Sequence, residues 1–219
     1  SFQQITFGSG TVHSARFAPD GQTIVYSASW EGKPFEVFVS RPESPESRPF
    51  GMPGASVLAV SKSGEMALSL GQHVVGPFMA SGTLARMSVA GGAAPREILE
   101  DVQWADWSPD GASLAIVREA AGRNRLEFPI GKVLYETDDW LDYPRFSPDG
   151  SRIAFLDHPN MADDRGPVSG IRREGGEDLR GAGGVLSRVD PWADVDEEDG
   201  QEEAGKPGCR EEWGQAFLV

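Results

Sequence analysis

Three aspartates recur at the same place in a repeated motif and could form a catalytic carboxylate set. Asp20, Asp110 and Asp149 each stand between a proline and a glycine. Paired carboxylates can perform general acid–base chemistry or bind divalent cations. A turn, however, needs one carboxylate in every repeat, because aspartate accepts hydrogen bonds from backbone groups two residues further on. We therefore predict that these aspartates build turns and that the chain has no catalytic residues.

Histidines and one acidic block are the other candidates for chemistry. His13, His73 and His158 fall in different repeats, with no spacing that favours a shared metal. Residues 194–200 resemble a calcium-binding loop, but its glycine comes one place late and Gly205 stands where glutamate is needed. There is no Gly-x-Ser-x-Gly nucleophile elbow and no complete phosphate-binding glycine loop. The sequence predicts a non-enzymatic chain with no metal and no cofactor.

Repeats are the elements that position these residues. An aromatic residue, Ser-Pro-Asp-Gly and an apolar run occur at 107–117 and 146–155, and nearly unchanged at 17–26. A degenerate copy at 60–68 has Lys62 and Ser63 in place of Pro-Asp, and the four turn glycines are 43, 47 and 39 residues apart. A period near 40 is typical of propeller blades. The predicted turn residues are Pro19, Asp20, Gly21, Gly64, Pro109, Asp110, Gly111, Pro148, Asp149 and Gly150.

The residues between the turns predict strands. In the first repeat, β-branched and aromatic runs at 23–26 and 35–39 predict two strands, and 41–47 predicts a fourth strand or a loop. Helical periodicity is hard to find before residue 160. We predict an all-β fold, a partial β-propeller of about four four-stranded blades, with Phe17, Trp107 and Phe146 buried between blades.

The motif Phe/Trp-Ser-Pro-Asp-Gly followed by an apolar strand resembles the WD40-like propeller repeat of the TolB family. It is also similar to propeller modules of bacterial serine/threonine protein kinases and of prolyl-oligopeptidase-type peptidases. The resemblance covers residues 1–160. It implies a closed ring with more blades, and hence that this chain is part of a longer protein. A periplasmic or extracytoplasmic location would follow from it.

Composition limits the partners. The chain has 34 acidic and 20 basic residues and a net charge of −14. It lacks the basic stripe that nucleic-acid binding requires, so no nucleic-acid partner is expected. No run of 18 apolar residues is present, so this segment is not expected to insert into a membrane. The single Cys209 cannot form an internal disulfide.

The composition changes near residue 162. Residues 163–219 are rich in glycine and glutamate and include an acidic block at 194–203. Such blocks cannot bury enough apolar surface to offset chain entropy. We predict propeller repeats over 1–162 and, over 163–219, an acidic tail that is poorly structured or has an origin other than the repeat.

Loops between strands are the expected place for function, because strands are committed to packing. The candidate partner-binding residues are Trp30, Glu31, Lys33, Arg123, Asn124, Asp138, Asp139, Trp140 and Asp142. Burial of both tryptophans between blades is an equal alternative.

The leading functional hypothesis is a non-enzymatic module that binds protein or peptide, as a TolB-like domain or a receptor-kinase sensor. The alternatives are an accessory propeller of a peptidase whose catalytic domain lies elsewhere, and a propeller that binds a solute or carbohydrate.

Overall fold

The structure, a computed structural model, describes residues 5–6, 8–41, 43–76, 79–158 and 168–173 of the chain. These residues form antiparallel strands and no helix. The strands are β1 Gly10–Phe17, β2 Ile24–Trp30, β3 Glu36–Arg41, β4 Ser44–Pro49, β5 Ser56–Val60, β6 Glu65–Gly76, β7 Met79–Ser88, β8 Arg96–Trp107, β9 Leu114–Ala120, β10 Arg123–Glu127, β11 Val133–Thr137, β12 Trp140–Phe146, β13 Arg152–His158 and β14 Val168–Arg172.

The strands form four blades. Blade 1 is the sheet β1-β2-β3-β4, and blade 4 is the sheet β12-β13-β14. Blades 2 and 3 belong to one seven-stranded sheet, ordered β5 to β11. The prediction of an all-β propeller is confirmed.

One long strand joins blades 2 and 3. The first half of β8 pairs with β7 from Arg86↔Arg96 to Leu84↔Leu99, with one more pair at Gly82↔Val102, and completes blade 2. Its second half pairs with β9 and begins blade 3. Asp101 lies between the halves with a φ of 59°. A left-handed residue at this point turns the strand from one blade into the next without a loop.

The first strands of the blades lie at the centre of the molecule. β1 contacts β5, β5 contacts β8, and β8 contacts β12. Two apolar cores fill the spaces between blades. One includes Val25, Val57 and Met66 and joins blades 1 and 2. The other joins blades 2, 3 and 4 and includes Leu84 and Phe155.

The Ser-Pro-Asp-Gly turns have one geometry. Gly111 N–H donates to Ser108 O at 2.7 Å, and Gly150 N–H donates to Ser147 O at 2.8 Å. The positive φ expected of both glycines is confirmed, with values of 69° and 73°. Asp149 Oδ1 accepts a hydrogen bond from Ser151 N–H at 2.9 Å, two residues further on. The turns thus reverse the chain between the first two strands of each blade.

The degenerate second copy keeps this geometry. Gly64 has a φ of 79° and donates to Ser61 O at 3.0 Å. Ser61 Oγ accepts from Glu65 N–H at 3.0 Å. Ser108 Oγ and Ser147 Oγ accept the equivalent bonds in the third and fourth copies, from Ser113 N–H and Arg152 N–H. At the aspartate position, Ser63 Oγ lies 2.9 Å from Ser61 Oγ.

Consecutive turns contact one another. A Cβ added to a turn glycine would lie 3.9 Å from Pro19 for Gly64, 3.6 Å from Ser61 for Gly111 and 3.3 Å from Pro109 for Gly150. Each of these neighbours belongs to the turn of the preceding blade. Gly21 has nothing within 4 Å. Because blade 1 has no described blade before it, its turn is open on that side.

The prediction of an inter-blade core is wrong for Phe17. The Trp107 ring is 5% exposed and lies 4.7 Å from the Arg86 guanidinium of blade 2. The Phe146 ring meets Phe128 of blade 3, with centroids 4.9 Å apart. Phe17 is 61% exposed. The cause is its position: its two counterparts pack on the blade before them, and no described blade precedes blade 1.

The end of the repeat region also differs from the prediction. Residues 168–172, expected in the tail, form β14 and pair with β13 from Arg152↔Arg172 to Leu156↔Val168. Ile171 is buried, so the propeller extends beyond residue 162. The sequence did not indicate this five-residue strand, because glycines and charged residues surround it. The rest of the expected tail, with Cys209 and the acidic block, lies outside the described residues.

Candidate functional site

The two ends of the blades differ in their connections. Because the strands are antiparallel, successive connections alternate between the ends of a blade. One end, the turn face, carries the turns that contain Gly21, Gly64, Gly111 and Gly150. The other end, the loop face, carries the turns at 31–32 and 121–122 and the connection at 138–139. The topology therefore brings the candidate residues of blades 1 and 3 to a common face.

Blade 1 presents charge and one tryptophan on the loop face. Glu31 and Gly32 form a tight turn with φ values of 56° and 73°, and Lys33 N–H donates to Trp30 O at 3.0 Å. Glu31 and Lys33 are exposed, and their side chains are 3.8 Å apart. Trp30 is half-buried, since its ring covers the backbone at Gly10. The ring also lies near Phe38, with centroids 6.3 Å apart.

Blade 3 presents an ion-pair network on the same face. Arg123 Nε donates to Asp138 Oδ1 at 2.9 Å, and Arg123 Nη1 donates to Glu136 Oε1 at 2.6 Å. Asn124 Nδ2 donates to Asp139 O at 2.9 Å. These bonds tie the start of β10 to the end of β11. Asp138 remains the exposed member, with 85% of its side chain in solvent.

Four candidates do not occupy the loops in which the sequence placed them. Arg123 and Asn124 begin β10, because Ala121 and Gly122 alone make the turn. Asn124 is buried and receives a hydrogen bond from Gln103.

Trp140 and Asp142 lie in β12 and are also buried. The Trp140 ring stacks on His158 at 3.8 Å, and Asp142 Oδ1 is 3.1 Å from His158 Nε2. Trp140 is therefore buried, as in the alternative interpretation, but its ring stacks on a residue of its own blade.

A groove that the sequence did not indicate opens between blades 2 and 3. It has a volume of about 470 Å³ and follows β8 where that strand changes blades. Its lining includes the charged residues Glu97, Glu100, Asp101 and Arg118. Asp101 is held in the left-handed region, which turns this segment toward the loop face. No sequence motif marks Asp101. The groove becomes visible only in the structure, where β8 passes from blade 2 to blade 3.

Three charged residues occupy equivalent positions on the central strands. Each stands one residue before the large apolar position of its repeat: Arg16 on β1, Asp106 on β8 and Arg145 on β12. Their partners on the second strands are Val25, Ala115 and Ala154. Blade 2 has Ala59 at this position. We call Arg16, Asp106 and Arg145 the axial cluster.

Burial governs the electrostatics of the axial cluster. It lowers the pKa of Arg16 to about 10, and repulsion by Arg145 acts in the same direction. It raises the pKa of Asp106, although both arginines and the Phe146 N–H oppose that rise. Phe146 N–H donates to Asp106 Oδ2 at 3.0 Å. The three charged groups therefore influence one another, but the attraction between Asp106 and the two arginines is weaker than the effect of desolvation on the pKa of Asp106.

The sequence carried a signal for this cluster that the turn motif obscured. Aligning the repeats on the turn glycine puts arginine, alanine, aspartate and arginine in one column, between apolar columns. Charged residues inside a buried strand need a partner. A column-by-column comparison of the repeats would have identified Arg16, Asp106 and Arg145.

Within the described ranges, no group of three histidines, cysteines or acidic residues is arranged to hold a metal ion. Over the same ranges, no helix is long and apolar enough to cross a bilayer.

Solved structures share this fold. TolB from Acinetobacter baumannii matches with a TM-score of 0.59 and 19% identity over 78% of this chain. The Agrobacterium tumefaciens structure assigned as TolB matches with a TM-score of 0.57 and 17% identity over 77% of this chain. The chain spans 43% and 60% of the lengths of these two proteins. No family model and no curated protein matches it.

A prolyl endopeptidase matches at a TM-score of 0.49 and 12% identity, which is too distant to support an argument. At the identities of the two TolB structures, the likeness concerns the fold alone. The antiparallel blades, the central first strands and these two structures together assign the chain a TolB-like β-propeller fold.

Proposed function

We propose that this chain is a non-enzymatic propeller module that binds a protein or peptide through its loop face. The observation that carries the proposal is the contrast between the two ends of the blades. On the turn face, three of the four turns that join the first two strands of a blade contact the preceding such turn, and the aspartates are occupied by local hydrogen bonds. On the loop face, the connections at 31–33 and 138–139 carry charged side chains that project into solvent, among them Glu31, Lys33 and Asp138.

The loop face offers varied chemistry over a rigid support. Blade 1 contributes the half-buried Trp30 between exposed charges, and tryptophans are enriched among residues that dominate binding energy. Blade 3 contributes Asp138, held by Arg123. The groove along 97–101 adds a concave surface between blades. A protein or peptide can use such a combination of aromatic, charged and concave features.

The wider assignment rests on the TolB-like fold. We propose that the module belongs to a larger protein, since it spans about half the length of the TolB structures it matches. A TolB-like interaction domain is the role we favour over a receptor-kinase sensor or a peptidase propeller. No nucleophile elbow occurs in this chain.

Two lysines on opposite faces provide a matched test. Lys33 lies on the loop face and Lys62 on the turn face, and both are exposed. A photo-cross-linking amino acid would replace each lysine in turn, in the cells that make the protein. We expect a discrete adduct from position 33 and none from position 62. The same adduct from position 62 alone would contradict the proposal.

A further inference from the structure

Arg16 in the axial cluster has two buried donors without a partner. Its Nη1 donates to the carbonyl of Ala15 at 2.7 Å. Its Nε and Nη2 are buried and have no hydrogen-bond partner in the described part of the chain. A buried donor left unpaired costs free energy, so such a group indicates a missing acceptor.

The identity of the free atoms points to a type of acceptor. Nε and Nη2 form one edge of the planar guanidinium, and their N–H bonds point in nearly the same direction. A carboxylate accepts from this edge with both oxygens at once, which makes the pairing strong and directional. A single acceptor atom would satisfy only one of the two donors.

The surrounding charge favours the same ligand. Arg16 and Arg145 carry two positive charges, whereas Asp106 supplies one negative charge. Neither arginine forms an ion pair with Asp106 in the described part of the chain, and Arg145 Nη1 donates to Pro144 O at 2.7 Å. One oxygen of Asp106 is occupied by the Phe146 N–H. A singly charged anion would balance the cluster, while a doubly charged one would be repelled by Asp106.

We propose that the axial cluster is a binding site for a carboxylate, held by the Nε and Nη2 edge of Arg16 with Arg145 as the second cation. The three side chains come from the first strands of three different blades, and the contacts of β1 with β5, β5 with β8 and β8 with β12 hold these strands together. The equivalent position of blade 2 is Ala59, which adds no competing polar group. The site is separate from the loop face, and its failure would leave the proposed protein-binding function untouched.

The first test uses the full 219-residue chain and acetate as the probe. The Arg16 Nε–H resonance would be followed by NMR during an acetate titration, against sodium chloride at equal ionic strength. We expect a saturable shift with acetate and none with chloride. An equal shift with chloride, or no saturable change with acetate, would overturn the proposal.

Three variants test whether acetate binding depends on the Arg16 donors themselves or on an intact cluster. Acetate binding by each variant would be measured from saturable NMR shifts of backbone amides near the cluster. R16K keeps the charge but loses the two-donor edge, so its acetate affinity should fall about tenfold. D106N removes the competing carboxylate and should bind acetate more tightly. R123Q changes an arginine already paired with Glu136 and Asp138, and should bind acetate as the natural protein does. A loss in D106N as large as that in R16K would contradict the assignment.

Further probes identify the source of the carboxylate. A short peptide with a free C-terminus, the same peptide with an amidated C-terminus, and an amidated peptide with one glutamate would be compared with inorganic phosphate. Binding of the first alone would assign the site to a chain terminus, and binding of the last peptide would assign it to an acidic side chain. Phosphate binding more tightly than every carboxylate would overturn the proposed ligand class.

Discussion

The turn face and the loop face of this propeller are formed by the two ends of the same strands, but the connections between those strands differ. Every turn between the first two strands of a blade closes with the same glycine hydrogen bond, even where Ser63 has replaced aspartate. On the loop face, two-residue turns, a direct strand crossing at Asp101 and a salt-bridged connection occur in different blades. The residues that repeat are those whose hydrogen bonds close a turn in every blade, whereas the loop-face residues have no such shared task in the fold.

Loss of a buried tryptophan is expected to have the largest effect on the free energy of unfolding. It also tests which of the two candidate tryptophans lies on the loop face. Trp140 was a loop candidate, but it is 2% exposed and stacks on His158. Trp140→Ala should lower the free energy of unfolding by about 3–5 kcal/mol. Trp30→Ala should cost less, because Trp30 is only half-buried. Chemical denaturation of both variants measures the two losses of unfolding free energy. Equal losses would contradict the distinction between a buried Trp140 and a half-buried Trp30.

Two glycines with the same φ allow the faces to be compared directly. Gly150 on the turn face and Gly32 on the loop face both have a φ of 73°. Alanine at either position should cost about 1–2 kcal/mol through left-handed strain. Gly150→Ala should lose more, since its Cβ would come within 3.3 Å of Pro109 whereas Gly32 has nothing within 4 Å. Thermal unfolding of both variants measures the difference. A larger loss at Gly32 would contradict the packing of consecutive turns.

The pH dependence of the turn aspartates is a smaller effect. The side-chain hydrogen bond from Ser147 and bonds from Ser151 lower the pKa of Asp149 to about 2. A carboxyl with a lowered folded-state pKa stabilises the fold above its unfolded pKa, and that contribution is lost as the pH falls toward the folded pKa. Asp149→Asn should therefore be less stable than the natural protein near neutral pH. The difference should shrink between about pH 4 and about pH 2.

Urea unfolding of both proteins over this pH range would check the prediction. A difference that grows on acidification would have the wrong sign.

Charge reversal of surface lysines should have the smallest effect on stability. Lys33→Glu and Lys62→Glu should each change the free energy of unfolding by less than about 0.5 kcal/mol, because both side chains are exposed. Lys33→Glu alone should weaken capture of the protein that cross-links at position 33. Equal losses of capture in the two variants would remove the distinction between the faces.

The sequence was sufficient for features that recur and insufficient for features that occur once. The Ser-Pro-Asp-Gly motif predicted turn geometry, strands and blades because each copy repeats the same local chemistry. The strand shared by blades 2 and 3 depends on the conformation of one residue, Asp101, which no motif marks. Trp140 resembles a loop residue beside Asp138 and Asp139, and only pairing with β13 shows that it is buried.

The candidate sites were predicted in part for the same reason. Glu31, Lys33 and Asp138 lie in exposed connections, as local turn chemistry indicated. The axial cluster required knowledge of which strands meet at the centre. Arg16 and Arg145 are 129 positions apart in the chain, and the contacts between the first strands of successive blades bring them near each other.

The most direct test of the account is a substitution scan of positions on both faces. Each variant would be scored in parallel for abundance of folded protein and for capture of the partner cross-linked at position 33. The account predicts that turn-face substitutions such as those at Gly111 and Asp149 lower abundance and capture together. Loop-face substitutions at Glu31, Lys33 and Asp138 should lower capture at unchanged abundance. Loss of capture at normal abundance confined to the turn face would contradict the account.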